Sequence, residues 1–134
     1  GMNGAIVKVY SKAKDGGTAL SAHFKVREFA CHDGTDTVFI SSELVGILEK
    51  IRVHFGKPVT INSGYRTEAW NKRQGGAAYS QHKYGTAADI SINGVTPKQI
   101  AAYAETLIPR SGGIGIYNSF CHVDVRTVRS RWNG

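Results

Sequence analysis

The most regular stretch of the chain is residues 40–56, where Leu44, Ile47, Leu48, Ile51 and Phe55 recur at steps of three and four. That period gathers them on one stripe and predicts an amphipathic helix, with Ser41 or Ser42 as its cap and Gly56 as its stop. A second helix is predicted after Thr96-Pro97-Lys98-Gln99, a capping box with proline at the first helical position. Its apolar stripe is Ile100, Tyr103, Ala104 and Leu107, and Pro109 ends it. A brief helix is expected over residues 67–73. Residues 86–92 alternate, with Ala88, Ile90 and Ile92 on one face and Ala87, Asp89 and Ser91 on the other, which predicts a strand. Residues 58–66 form a further short β-like run, and residues 114–117 and 120–125 read as strands joined at Asn118-Ser119. The stretch to about residue 20 reads as an arm or loop, and residues 24–34 show no clean period.

Helices bracket clustered short strands, and no βαβ rhythm runs through the chain. The expected fold is therefore α+β: a small single domain with a central, mainly antiparallel sheet flanked by helices. A chain of 134 residues buries a core without staples. No apolar run approaches the roughly 18 residues of a membrane span. No signal peptide is visible at the start, so synthesis in the cytoplasm is expected, and Gly1 ahead of Met2 reads as a cloning remnant. A monomer is expected.

The formal net charge is +7, and Arg110, Arg126, Arg129 and Arg131 crowd the last quarter. Such a surface attracts nucleic acid, anionic lipid or an acidic cell-wall polymer, or simply keeps the protein soluble. Aromatic residues do not interleave with the basic ones as in nucleic-acid modules, so no nucleic-acid partner is expected. Cys31 and Cys121 each precede a histidine, but 90 positions separate them and no CxxC is present. Buried free thiols are expected rather than a zinc finger.

In residues 120–125, Phe120, His122 and Asp124 share one strand face, while Cys121, Val123 and Val125 share the other. The apolar face is expected on the core, which turns His122 and Asp124 toward a cleft. Asp89 sits on the polar face of its own strand, and His82, three residues before Gly85, can curl back toward it. Two imidazoles and a carboxylate with an open fourth position suit a catalytic zinc. On spacing alone, Asp89 equally serves as a turn cap and Asp124 as a partner for Arg126 or Arg129.

The motif Ser80-x-His82-x-x-Gly85-x-Ala87-x-Asp89 matches the SxHxxGxAxD signature of the M15 family of zinc D-Ala-D-Ala peptidases. Residues 63–66 (SGYR) resemble that family's upstream arginine motif, and residues 112–117 followed by 120–126 resemble the strand pair carrying its last zinc ligand. The resemblance covers roughly residues 23–132 and is nearest to compact, phage-type peptidoglycan peptidases. It implies an arm over 1–22 and a zinc peptidase domain over 23–134, with the small α+β fold already expected. It also implies zinc on His82, Asp89 and His122, with Arg66 stabilising the scissile carbonyl or a substrate carboxylate and Ser80 and Gln81 supporting the ligands. Peptidoglycan peptides are the implied substrate, so action at the cell wall, periplasmic, extracellular or phage-associated, is expected. Many relatives place a general-base carboxylate three positions before the last histidine, or a second histidine two before it; here these positions hold Ser119 and Phe120. Asp124 is then the expected base, with Glu68, Asp33 and Asp36 behind it. A non-catalytic zinc-binding wall module with the same fold is the alternative.

Overall fold

A computed structural model describes residues 6–134, so the reading of Gly1 lies outside the described residues. Among the described residues, two sheets and four α-helices form the fold. Strands β1 (Val7–Ser11) and β2 (Thr37–Ser41) pair antiparallel. Between them lie helix α1 (Lys12–Asp15) and a 3₁₀ turn (Val26–Phe29). The second sheet has the order β3-β4-β6-β5-β7, from β3 (Thr60–Ser63), β4 (Ala87–Ser91), β5 (Gly113–Ile116), β6 (Cys121–Asp124) and β7 (Ser130–Asn133). Its pairings are antiparallel except β5 with β7. The small α+β domain with a mainly antiparallel sheet is as expected.

Helices α2 (Ser42–Phe55), α3 (Glu68–Arg73) and α4 (Pro97–Leu107) form where the pattern predicts them. Ser41 caps α2 by accepting from the Leu44 N–H, and Gly56 ends it in the left-handed region at φ 64°. Leu44, Leu48 and Ile51 from α2 and Ile100 and Ala104 from α4 are buried with Ile90 and Val123 of the central strands. The helices thus cover one face of the sheet and leave the other to the loops that build the site. Among the described residues, no helix is long and apolar enough to cross a membrane. Both thiols are buried and unpaired, and burial pushes Cys121 up to about 12.

One expectation is corrected. The stretch read as an arm or loop carries β1 and α1, because Val7–Ser11 pairs along the whole of β2. Ile40 and Ser41 end β2, where Val38 and Ile40 are buried, and Ser41 then caps α2 as the sequence predicts.

Candidate metal centre

One transverse row of the large sheet carries the centre. Ser63, Asp89, His122, Gly115 and Trp132 are successive cross-strand partners. Direct partners project from the same face, so Asp89 and His122 meet without any help from loops. His82 arrives from a 3₁₀ turn, Gln81–Tyr84, whose first N–H groups need a cap. Ser80 Oγ accepts from the His82 N–H at 3.3 Å. Thr86 Oγ1 lies 2.8 Å from Gln81 Oε1 and 3.0 Å from the Gln81 carbonyl oxygen, a shared donor that ties the turn to β4. Gly85 closes the turn at φ 74°, and a Cβ there would strike the Phe39 carbonyl. Only glycine meets both demands.

Hydrogen bonds fix which nitrogens face inward. His82 Nδ1 lies 2.8 Å from the Gly64 carbonyl oxygen, which only accepts, so Nδ1 carries the proton and Nε2 offers its lone pair. That Nε2 is 3.2 Å from Asp89 Oδ1. His122 Nε2 donates to Asp124 Oδ2 at 2.7 Å, and its Nδ1 faces the same Asp89 oxygen at 2.9 Å. Two imidazole nitrogens and a carboxylate oxygen thus lie within 4.8 Å of one another. Lone pairs aimed at one point repel unless a proton or a cation sits among them. Burial opposes a charged His122, but its hydrogen bonds to Asp124 and Asp89 outweigh this and raise its pKa. Burial likewise works against ionised Asp89, and the hydrogen bonds of His122 and His82 overcome it to hold the carboxyl well below its usual range. The donor set of two nitrogens and one oxygen fits zinc, whose three-ligand sites leave a fourth position open.

Asp124 does not face the cavity, and its expected role as base is not what this geometry favours. The residue is fully buried. Its Oδ1 accepts from the Gly113 N–H at 2.9 Å, the Arg126 N–H at 3.1 Å and Arg126 Nε at 2.9 Å. Its Oδ2 accepts from His122 Nε2 and, at 2.6 Å, from Arg126 Nη2. A Cβ on Gly113 would collide with this carboxylate, so glycine makes its room. Burial opposes ionisation, yet the bonds from His122 and Arg126 keep the carboxyl well below its usual range. A carboxylate so engaged orients its histidine and has no free lone pair for a water in the cavity. The pairing with Arg126, open as an alternative in the sequence, is the one formed.

A cavity of about 430 Å³ opens over the centre and includes Arg66, Tyr117, Arg126 and Trp132 in its lining. Arg66 Nη2 is 3.5 Å from Asp89 Oδ2; its Nε donates to Ser63 Oγ at 3.0 Å and its Nη1 to Asn71 Oδ1 at 3.3 Å. Buried Asn71 donates in turn to the Ala77 carbonyl at 2.9 Å, tying Arg66 to the glycine-containing loop on the cavity rim. Among the described residues, Asp89 is the only carboxylate in that lining, and Glu68, Asp33 and Asp36 are absent from it. Asn71, Tyr117 and Trp132 were missed in the sequence. The sole local signal was Asn71 four residues after the helix cap Thr67, a spacing shared by many helix-facing residues. Of the late arginines, Arg129 and Arg131 pair with Glu105 and Arg126 with Asp124.

Comparison with known proteins converges on one family. The family model described as Peptidase M15 matches residues 21–124. The chain is 40% identical over 83 residues to the probable peptidoglycan L,D-endopeptidase MepK of Haemophilus influenzae, covering 57% of this chain and 43% of that protein. It is 35% identical over 80 residues to the peptidoglycan L,D-endopeptidase MepK of Escherichia coli K12, covering 54% and 43%. A 34-residue stretch is 50% identical to the zinc D-Ala-D-Ala carboxypeptidase of Streptomyces albus G, covering 25% of this chain and 13% of that protein. The chain therefore spans less than half the length of each of these relatives.

Proposed function

The chain belongs to the M15 peptidase family, and from that premise we propose that it is a zinc-dependent hydrolase of peptide bonds in bacterial peptidoglycan. The observation that carries the reading is the convergence of His82 Nε2, Asp89 Oδ1 and His122 Nδ1 at the floor of an open cavity. Zinc on these atoms would supply a Lewis acid that polarises a carbonyl and acidifies water. Asp124 holds the His122 ring so that Nδ1 faces inward, and the Gly64 carbonyl does the same for His82 Nε2. Arg66, braced by Ser63 and Asn71, presents its guanidinium beside Asp89, where it stabilises negative charge developing on a substrate carbonyl oxygen. The relatives named above support peptidoglycan as the substrate, as an endopeptidase or a carboxypeptidase, and hence action at the cell wall. The catalytic unit proposed is residues 23–134.

A second reading keeps the zinc and drops the turnover. It is favoured by the engagement of Asp124, which leaves Asp89 as the only carboxylate of the described residues in the cavity lining. On that reading the protein is a wall-binding module. Digestion of purified peptidoglycan, with products read by mass spectrometry, separates the two. New stem-peptide fragments that vanish with chelator and return with zinc support the hydrolase. Retention on peptidoglycan without any fragment supports the module.

A further inference from the structure

We propose that Asn71 is a positioning residue for the hydrolysis: it joins the Arg66 guanidinium to the rim loop 74–77, and Gly76 leaves room for it. The inference rests on the reading of Arg66 as the group that stabilises charge on the scissile carbonyl. The root of Arg66 is fixed by its own backbone, whose N–H donates to the His82 carbonyl at 3.0 Å. The far end of so long a side chain needs separate holding, because each unfixed torsion spreads the guanidinium over several rotamers. Ser63 Oγ holds Nε at 3.0 Å, and Asn71 Oδ1 holds Nη1 at 3.3 Å. The second of these acceptors is itself pinned. Asn71 is only 3% exposed, its Nδ2 donates to the Ala77 carbonyl at 2.9 Å, and its own carbonyl accepts from the Gly76 N–H at 2.8 Å.

A carboxamide accepts from a guanidinium with one atom and donates to a carbonyl with the other. Aspartate would set a carboxylate against the Ala77 carbonyl, and leucine would leave both bonds unmade in a buried place. Glycine at position 76 follows from the same contact. A Cβ there would strike the Asn71 carboxamide, and Gly76 has no left-handed φ, so room rather than backbone conformation asks for glycine. Gln74, Gly75, Gly76 and Ala77 line the cavity together with Arg66. One buried side chain thus sets both the rim that borders a bound peptide and the arginine that meets its carbonyl. Among the described residues, Asn71 forms no hydrogen bond to His82, Asp89 or His122, so its effect passes through Arg66 and the loop.

The test is a double-mutant cycle on zinc-loaded protein: wild type, Asn71→Ala, Arg66→Lys and the two combined, with Gly76→Ala as an independent variant. Hydrolysis of a peptidoglycan stem peptide is measured, and the Arg66 Nε–H signal is followed by nitrogen-15 NMR, assigned by its loss in Arg66→Lys. Asn71→Ala is expected to lower kcat by about 10- to 100-fold at unchanged KM and zinc content, the scale of a small misplacement of a catalytic group. Gly76→Ala, which pushes the carboxamide aside without removing it, lowers kcat by less. In both variants the Arg66 signal shifts and exchanges faster with solvent. In the Arg66→Lys background, Asn71→Ala costs at most about twofold more, because a residue acting through Arg66 has nothing left to position. An equal loss in both backgrounds would make Asn71 a residue of the fold alone and overturn the proposal. So would wild-type kcat in both Asn71→Ala and Gly76→Ala, or an Arg66 signal that neither moves. A wild type that hydrolyses no stem peptide would remove the catalytic reading, and the Arg66 signal then decides the positioning by itself.

Discussion

His122 bridges two aspartates from opposite edges of its ring, Nε2 to Asp124 Oδ2 at 2.7 Å and Nδ1 to Asp89 Oδ1 at 2.9 Å. Asp89 stands in the cavity and Asp124 behind the ring, held by Arg126 and the Gly113 N–H. Asp124→Asn is therefore expected to weaken zinc binding by roughly 10- to 100-fold and to lower activity in parallel. Competition with a chromogenic chelator measures the first and peptide hydrolysis the second. Intact zinc affinity with a collapsed kcat would restore Asp124 as the base.

Arg66 is braced at Nε and Nη1, leaving Nη2 beside Asp89. Lysine keeps the charge and loses the fork. Arg66→Lys should lower kcat by about 10² to 10³ while zinc stays bound, the loss typical of one removed oxyanion donor. Steady-state kinetics on zinc-saturated protein decide this. An unchanged kcat/KM would reduce Arg66 to a structural residue.

Gly85 holds a left-handed φ of 74° against the Phe39 carbonyl, three residues after the ligand His82. Gly85→Ala should destabilise the fold by at least about 1 to 2 kcal/mol from the backbone conformation alone, with the collision added. Urea unfolding reads that loss. A variant as stable as the wild type would show that the turn relaxes freely, contrary to its role in placing His82.

The parts of the structure legible in the sequence are those set by local spacing. Helix α2 follows from a five-residue stripe, and α4 from the Thr96 capping box that the structure forms with Gln99. The ten residues 80–89 contain a cap, a left-handed turn and a strand, so His82 and Asp89 are readable from the sequence. Strand β7 was not, since Ser130–Asn133 is an edge strand of mixed polarity whose pairing partner, β5, lies 14 or more residues earlier. Alternation placed His122 and Asp124 correctly on one face but misjudged their exposure. Strand β6 lies between β4 and β5, and residues of the 64–82 loops and Trp132 cover its polar face, so all four of its residues are buried. Tyr117 and Trp132 come together through the pairing of β5 with β7, which no spacing within the chain encodes, whereas Asn71 meets Arg66 and Ala77 within six residues of itself.

The central claim is that His82, Asp89 and His122 make one cation site. Its most direct test is the zinc content, after reloading and exhaustive dialysis, of the wild type and of His82→Ala with folding verified. The account predicts about one zinc per wild-type chain and a loss of tight binding in the variant. A folded wild type that retains no stoichiometric zinc, or a variant that retains as much, would contradict it.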